Sequence, residues 1–315
     1  MTDQAQLSFR AMGAACSVLV YAPRAAERLC QVAVSRVALL EQSWSRFRES
    51  SELNQLNASA GTGPFVVSGD LLSLVWHMKR AWELTDGLFD PTMLAQIKAA
   101  GYDADFATVI ARDALASART WAVPHRSSAM ADVKIDLQAS TVLLPGDIGL
   151  DPGAIGKGLA GDIIAAELMR AGATGVLVDL GGDIVMAGTP GGEDFWAIAV
   201  EDERSPNDES REPLIVRFDP VDGSHAIATS STLYRRWAGG TRHHVMDPRT
   251  GLVANPELVQ ATVWCGAGWL AEVSATAALL MTKDQALAWL QEHQRGFAIM
   301  TASQAFSSLV SALHG

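Results

Sequence analysis

Apolar residues recur along this chain at two spacings, which separate predicted strands from predicted helices. Residues 16–21 alternate between apolar and polar side chains, as in a strand with one buried face. Between residues 25 and 47 the large apolar side chains return at helical spacing, which predicts an amphipathic helix. The same pattern covers residues 69–84, and that helix is expected to end at the turn formed by Thr85, Asp86 and Gly87.

Shorter apolar runs follow in the middle and at the end of the chain. Strands are predicted at residues 133–137, 141–144, 175–180 and 297–300, and helices at residues 160–173, 267–281 and 283–293. Residues 48–57 form a polar segment, and residues 201–213 are predicted to form a solvated loop. Because strands and helices follow one another without a regular βαβ order, we expect the α+β class, with mixed sheets flanked by helices. No internal repeat or linker is visible, so residues 1–315 are predicted to form a single domain.

The composition is that of a globular protein with an acidic surface. Hydrophobic residues make up 49% of the 315 residues, charged residues make up 19%, and the net charge is −11. An acidic surface repels the phosphates of nucleic acids and anionic lipids, so neither is expected as a partner. No run approaches the ~18 apolar residues that a membrane span requires. Three scattered cysteines, at positions 16, 30 and 265, are predicted to be small buried side chains rather than disulfides or zinc ligands.

The start of the chain bears on location. Residues 13–16 read GAAC, which looks like a lipoprotein cleavage site, but a secretory signal needs a basic start and an apolar run before such a site. Residues 2–10 are polar and include Asp3. We therefore expect no export signal and a soluble enzyme in the cytoplasm.

A glycine-rich segment, DPGAIGKG at residues 151–158, carries the first sign of chemistry. It places Lys157 at the predicted start of a helix, where free N–H groups and a cation together attract an anion. A Walker A loop would need glycine at position 151 and serine or threonine at position 158, and the chain has Asp151 and Gly158 there. The segment is therefore not a P-loop. Taken alone, it also fits a tight turn with a surface lysine.

Six further motifs accompany this segment in a defined order. They read SRFRESSELNQLN at residues 45–57, TDGLFDPT at 85–92, LGGD at 180–183, ATSS at 228–231, HVMDPRTG at 244–251 and AEVSATA at 271–277. Each motif is weak by itself, but the ordered series resembles the ApbE-type family of FAD:protein FMN transferases from about residue 12 to residue 281.

The resemblance implies an enzyme that moves FMN from FAD to a serine or threonine hydroxyl of an acceptor flavoprotein, with Mg²⁺ bound and AMP released. The positions that match the FAD site of the family are Met12, Phe47, Leu88, Phe89, Asp90, Asp151, Lys157 and Met246. The positions that match its magnesium ligands are Ala154, through its backbone carbonyl, Glu272 and Thr276. His244 matches the histidine proposed as general base.

The residues support these implied roles to different degrees. Glu272 and Thr276 are four positions apart on a predicted helix, so their side chains share one face, and their oxygen atoms suit Mg²⁺. Without the resemblance, Glu272 would be interpreted as a solvated charge and Thr276 as a helix-packing residue. A histidine side chain titrates near neutrality in general, so His244 can serve as acceptor of a hydroxyl proton, whereas we expect a structural role for the adjacent His243. Phe47 fits either the flavin ring or a protein core, and so does Phe89.

Four positions depart from the family pattern: glutamate replaces the usual aspartate at position 272, aspartate replaces asparagine at 179, glycine replaces alanine at 156, and serine replaces glycine at 231. These departures leave open how tightly the metal binds and how transfer compares with hydrolysis. Two alternatives to a transferase therefore remain. One is a Mg-dependent FAD pyrophosphatase that releases FMN and AMP, and the other is a non-catalytic FAD-binding protein.

Overall fold

The structure is a computed structural model that describes residues 3–113, 124, 126, 129–204, 212–293 and 295–302. Eight α-helices lie within these residues: α1 Ala26–Trp44, α2 Glu52–Ala58, α3 Gly69–Leu84, α4 Leu94–Ala99, α5 Phe106–Asp113, α6 Gly156–Arg170, α7 Gly268–Leu279 and α8 Lys283–Glu292. The longer strands in the same residues are β1 Asp3–Ala11, β2 Ala14–Ala22, β6 Gly175–Leu180, β7 Ile184–Gly188, β8 Trp196–Val200, β9 Leu214–Phe218, β10 Ser224–Ser231, β15 Leu258–Cys265 and β16 Gly296–Thr301. The shorter strands are β3 Phe65–Val66, β4 Lys134–Asp136, β5 Thr141–Leu143, β11 Arg236–Trp237, β12 Arg242–His243, β13 Met246–Asp247 and β14 Leu252–Val253.

The chain divides into two compact units. Unit 1 comprises Met1–Leu39, Lys157–Ser231 and Glu257–Gly315, and unit 2 comprises Leu40–Gly156 and Thr232–Pro256. This division does not test the prediction of a single domain, which stays a prediction.

A seven-stranded sheet forms the centre of unit 1, in the order β1-β2-β6-β7-β10-β15-β16. Every neighbouring pair is antiparallel. Because side chains alternate between the two faces of a strand, each face can be covered separately. Helix α7 packs on β10 and β15, and the β8–β9 hairpin contributes to a hydrophobic cluster whose sheet residues are Met186, Ile227, Trp264 and Ala298.

The ends of α6 and α7 meet at two glycines in unit 1. A Cβ atom on Gly268 would lie 2.5 Å from the carbonyl oxygen of Gly158, and a Cβ atom on Gly158 would overlap the backbone of Gly268. Real Cβ contacts are longer than this, so glycine is required at both positions. The residue before α7, Ala267, provides no side-chain cap. Asp162 of α6 does so instead, with its two carboxylate oxygens accepting hydrogen bonds from the N–H groups of Gly268 and Trp269 at 2.7 and 3.0 Å.

Unit 2 contains α2 to α5, a three-stranded sheet in the order β3-β5-β4, and the hairpins β11–β12 and β13–β14. Serine side chains cap two of its helices, with Ser51 accepting from the N–H of Asn54 and Ser68 accepting from the N–H of Leu71. One core cluster consists of buried Ile97, Ala100, Tyr102, Val109 and Trp237.

The α+β class predicted from the sequence is confirmed, with one refinement. All pairs of named strands are antiparallel, whereas the prediction spoke of mixed sheets.

The description of residues 48–57 as a polar segment missed α2, because a helix of seven residues is too short to show a repeat. Most of the loop predicted at 201–213 lies outside the described residues. Within the described residues, no helix combines the length and the apolar character that crossing a membrane requires. The three cysteines are buried there, and none forms a disulfide.

Candidate active site

Lys157 joins two buried carboxylates in unit 1. It is the second residue of α6, and its Nζ atom forms ion pairs with Oδ2 of Asp183 and with Oε1 of Glu272, the latter at 3.0 Å. The side chains of Asp183 and Glu272 are 3% and 4% exposed, whereas that of Lys157 is 21% exposed. A buried charge without a partner is costly, so each carboxylate depends on this ammonium group.

Glu272 retains capacity for a further cation. Its second oxygen, Oε2, accepts a hydrogen bond from the backbone N–H of Gly158 at 2.8 Å. Each carboxylate oxygen has about two acceptor positions, so one position on each remains. The ammonium of Lys157 shows that this carboxylate already accommodates a positive group.

Thr276 lies one turn beyond Glu272 on α7. Its Oγ1 atom is 2.7 Å from Oγ of Ser230, on the face of β10 that α7 covers. A hydroxyl has two acceptor positions and one donor, so one such bond leaves it able to face a cation. A carboxylate and a hydroxyl on one helical face form a hard-oxygen donor set of the type that Mg²⁺ prefers. These two residues therefore fit the predicted metal.

Ala154, the third predicted metal ligand, belongs to unit 2. Its φ angle is +65°, in the left-handed region that few residues with a Cβ atom adopt. Strain of this kind is concentrated at functional sites. Its role as a ligand stays a prediction. Among the described residues, no group of three or more His, Cys, Asp or Glu side chains is arranged to hold a metal.

Two further carboxyl groups, those of Asp162 and Asp179, lie partly buried in unit 1. Burial raises the pKa of Asp179, against the opposing effects of the Gly182 N–H and of Lys157. Burial also raises the pKa of Asp162 to about 6, although the N–H groups that it accepts lower it, and the nearby Glu272 raises it further. Burial therefore disfavours the ionised form of both carboxyl groups.

In unit 2, Arg46 organises the aromatic part of the candidate site. Its guanidinium carbon lies 4.1 Å from the ring centroid of Phe47 and 4.5 Å from that of Tyr102. Its Nε atom is 3.3 Å from Oδ2 of Asp151, and its Nη1 donates to the carbonyl of Tyr102 at 2.8 Å. The predicted residues Phe47 and Asp151 are therefore brought together by an arginine that the prediction left out.

A cavity of about 460 Å³ opens beside this arginine. It is lined by Arg46, Phe47, Glu49, Asn54, Asn57, Ala58, Leu94 and Lys98. Phe47 is 43% exposed, so part of its ring is available to a planar ligand. The volume lies in the range of small-molecule sites, roughly 300–1,000 Å³.

The motif at residues 85–92 reaches the same region through backbone contacts. The N–H of Asp151 donates to the carbonyl of Pro91 at 2.8 Å. Asp90 accepts from the N–H and the hydroxyl of Thr92 at 2.9 and 2.6 Å, while Leu88 is half-buried. Phe89 is 3% exposed, so its ring offers far less surface to a planar ligand than the ring of Phe47 does.

The two adjacent histidines occupy different surroundings in unit 2. His243 is buried in β12, opposite Arg236 in β11, and its Nδ1 accepts from the N–H of Val245 at 3.3 Å. Burial and the charge of Arg236 lower its pKa to about 4, which leaves it neutral and structural at physiological pH. His244 is half-buried between β12 and β13. This contrast supports the choice of His244 as the general base.

The remaining predicted residues, Met246 and Met12, belong to different units. Met246 packs against the core cluster that contains Tyr102. Met12 and Gly13 form the tight turn between β1 and β2 in unit 1, with φ angles of +51° and +72°. Asp183 was missed although it ends the LGGD motif, and Arg46 was missed although it adjoins Phe47. For both residues, the sequence offered one signal, which was their position inside a motif of the ordered series.

Comparison with known proteins identifies the family. A sequence profile described as the ApbE family matches residues 12–301. The FAD:protein FMN transferase of Treponema pallidum is 30% identical over 292 residues, which cover 89% of this chain and 80% of the relative. The protein of the same name from Vibrio cholerae is 28% identical over 93% of this chain and 86% of its own.

Solved structures confirm the fold. The apo form of the Pseudomonas stutzeri flavinyl transferase ApbE superposes with a TM-score of 0.77 at 18% identity, over 97% of this chain and 93% of its own. An ApbE protein of Thermotoga maritima gives 0.78 at 22% identity, over 96% of each chain. The family resemblance and the transferase class predicted from the sequence are confirmed by these relatives. This chain belongs to the ApbE family.

Proposed function

We propose that this protein transfers FMN from FAD to a serine or threonine hydroxyl of an acceptor flavoprotein, in a Mg-dependent reaction that releases AMP. The observation that carries the proposal is the arrangement around Glu272. This buried carboxylate has Thr276 one turn away and Lys157 in contact, in a chain whose relatives are named FAD:protein FMN transferases.

Each part of the site has a task in this reaction. Glu272, Thr276 and the carbonyl of Ala154 would hold Mg²⁺, which when bound neutralises negative charge on phosphate oxygens. Lys157, at the start of α6, supplies a further positive charge for the pyrophosphate. Phe47 supplies an aromatic face for the isoalloxazine ring.

Proton transfer falls to His244. An imidazole nitrogen accepts the proton of the acceptor hydroxyl, and the hydroxyl oxygen then attacks the phosphorus of the FMN moiety. A new oxygen–phosphorus bond forms as the bond between the FMN phosphorus and the bridging oxygen breaks, and AMP leaves with that oxygen. Positioning and electrostatics supply most of the acceleration in such displacements.

One incubation distinguishes this function from its alternatives. The protein is mixed with FAD, MgCl₂ and an acceptor flavoprotein domain that a named relative modifies. Flavin fluorescence that stays on the denatured acceptor, with an equal amount of AMP, is the expected result. Free FMN and AMP without labelled acceptor would identify a pyrophosphatase, and intact FAD would identify a binding protein. The cytoplasmic location stays a prediction, for cell fractionation to test.

A further inference from the structure

The ammonium of Lys157 is shared between one carboxylate of the proposed metal site and one outside it. Glu272 is a predicted metal ligand, and Asp183 has no assigned role. A lysine side chain with two counter-ions can satisfy its charge at either one.

A divalent cation on Glu272 changes the balance between these two contacts. The cation and the ammonium would then lie on the same carboxylate, within a few ångströms of each other, where like charges repel strongly. If the ammonium of Lys157 contacts Asp183 alone, it lies farther from the cation and part of this repulsion is removed. Without Asp183, Glu272 is the one of these two carboxylates that remains for the ammonium. The ammonium then competes with the metal for Glu272.

The anchoring of the two side chains decides which one moves. Asp183 is 2% exposed and ends the turn between β6 and β7. That turn is closed by a hydrogen bond from the Leu180 N–H to the Asp183 carbonyl at 3.0 Å and by another from the Gly182 N–H to Asp179 at 2.8 Å. Lys157 has a flexible four-carbon stem and is partly exposed. A cation on Glu272 would therefore move the lysine toward an aspartate that stays in place.

We propose that Asp183 is a positioning residue that draws Lys157 away from Glu272 and so sets the affinity of the metal site. The proposal rests on the proposed function, because it requires a cation on Glu272. It also gives Lys157 two tasks in one catalytic cycle, since an ammonium released from Glu272 retains its charge for a phosphate group.

Mn²⁺ binding to the FAD-free protein, followed by electron paramagnetic resonance, tests the proposal. Asp183→Asn should weaken binding roughly tenfold and Lys157→Met should tighten it by a similar factor, as expected for one unit charge close to a dication. The double variant has the wild-type net charge, so long-range effects cancel, and it should still bind Mn²⁺ more tightly than wild type. Glu167→Gln removes another ion pair of α6, with Arg36, and should change nothing.

Two outcomes of the Mn²⁺ titrations would contradict the proposal. Wild-type affinity in Asp183→Asn, or a double variant as weak as Asp183→Asn, would overturn the proposal, and the second result would make Asp183 a direct ligand. Glu272→Gln distinguishes a failure of this proposal from a failure of the proposed metal site. Unchanged Mn²⁺ affinity in Glu272→Gln would refute the metal site itself. Circular dichroism checks folding. If the Lys157→Met single variant does not fold, the proposal is still tested by comparing the Mn²⁺ affinity of the double variant with the affinities of Asp183→Asn and wild type.

Discussion

Asp162 of α6 caps the helix that begins at Gly268, and this cap holds the segment that carries Glu272 and Thr276. In Asp162→Asn, one of the two acceptor oxygens becomes an amide that cannot accept the Trp269 N–H. We expect the free energy of unfolding to fall by about 1 kcal/mol, the typical cost of a lost cap. The Mg²⁺ concentration needed for half-maximal activity should rise as well.

The control for this variant is Thr282→Ala, which removes the capping box of α8. It should lower stability by a similar amount in urea denaturation without changing the Mg²⁺ requirement. An equal effect of both variants on the Mg²⁺ requirement would show that Asp162 acts through global stability.

The same carboxyl group gives a pH dependence. The pKa of Asp162 is about 6 in the folded protein, above the ordinary value of 3.8. The folded state therefore binds more protons between these values, so the stability from this group is full below pH 3.8 and is lost as the pH rises through 6. Between pH 4 and pH 7, the difference in unfolding free energy, wild type minus Asp162→Asn, should decrease. A difference that stays constant with pH would contradict this assignment.

The charge of Glu272 is the centre of the proposed metal site. Glu272→Gln preserves the size of the side chain and an oxygen that can accept the Gly158 N–H, but it removes the negative charge that a hard cation needs. Steady-state transfer measured against MgCl₂ should show a sharply higher requirement, with an unchanged circular dichroism spectrum. The idea is wrong if the two Mg²⁺ titrations coincide.

The two histidines should respond differently to alanine. His244→Ala should reduce transfer by about 10²–10⁴-fold, the usual cost of losing a general base, while FAD affinity is retained. His243→Ala should lower the melting temperature, because it empties a buried position, and should leave the rate per folded molecule nearly unchanged. Similar rates for both variants would remove His244 from the mechanism.

Phe47 is the aromatic residue expected to contact the flavin. Phe47→Leu preserves bulk and loses the ring, so FAD should bind about three to ten times more weakly, in line with the energy of one aromatic contact. Titration by flavin fluorescence measures this change. Phe89→Leu, at a buried position, is the matched control and should affect stability rather than FAD affinity. The reverse pattern would assign the flavin contact to Phe89.

Local signals in the sequence predicted part of this fold well. The helix at residues 69–84 has the predicted bounds because Ser68 caps its start and a turn follows its end. The strand at residues 175–180 was also predicted correctly, since a short apolar run is bounded by glycines. Helix α6 begins at Gly156 rather than at residue 160, because its first turn is rich in glycine and carries no apolar repeat.

The site was predictable in its motifs and not in its contacts. Lys157 and Glu272 were each named from a motif, and their roles stay predictions. Their ion pair joins residues 115 positions apart, and no local pattern records such a pairing. The ion pair of Lys157 with Asp183 was missed for the same reason. Arg46 was passed over because a charged residue in a polar segment is normally solvated, whereas here two rings and Asp151 bury it.

The contact between Gly158 and Gly268 limits how this site can vary. With backbone against backbone, α7 has no room to advance toward α6, and the cap from Asp162 opposes its withdrawal. The additional methylene of glutamate at position 272 must therefore be absorbed by the side chain's own torsion angles. Differences in cation preference among related sequences should accordingly follow the length of this one side chain, while the two helices act as a rigid frame.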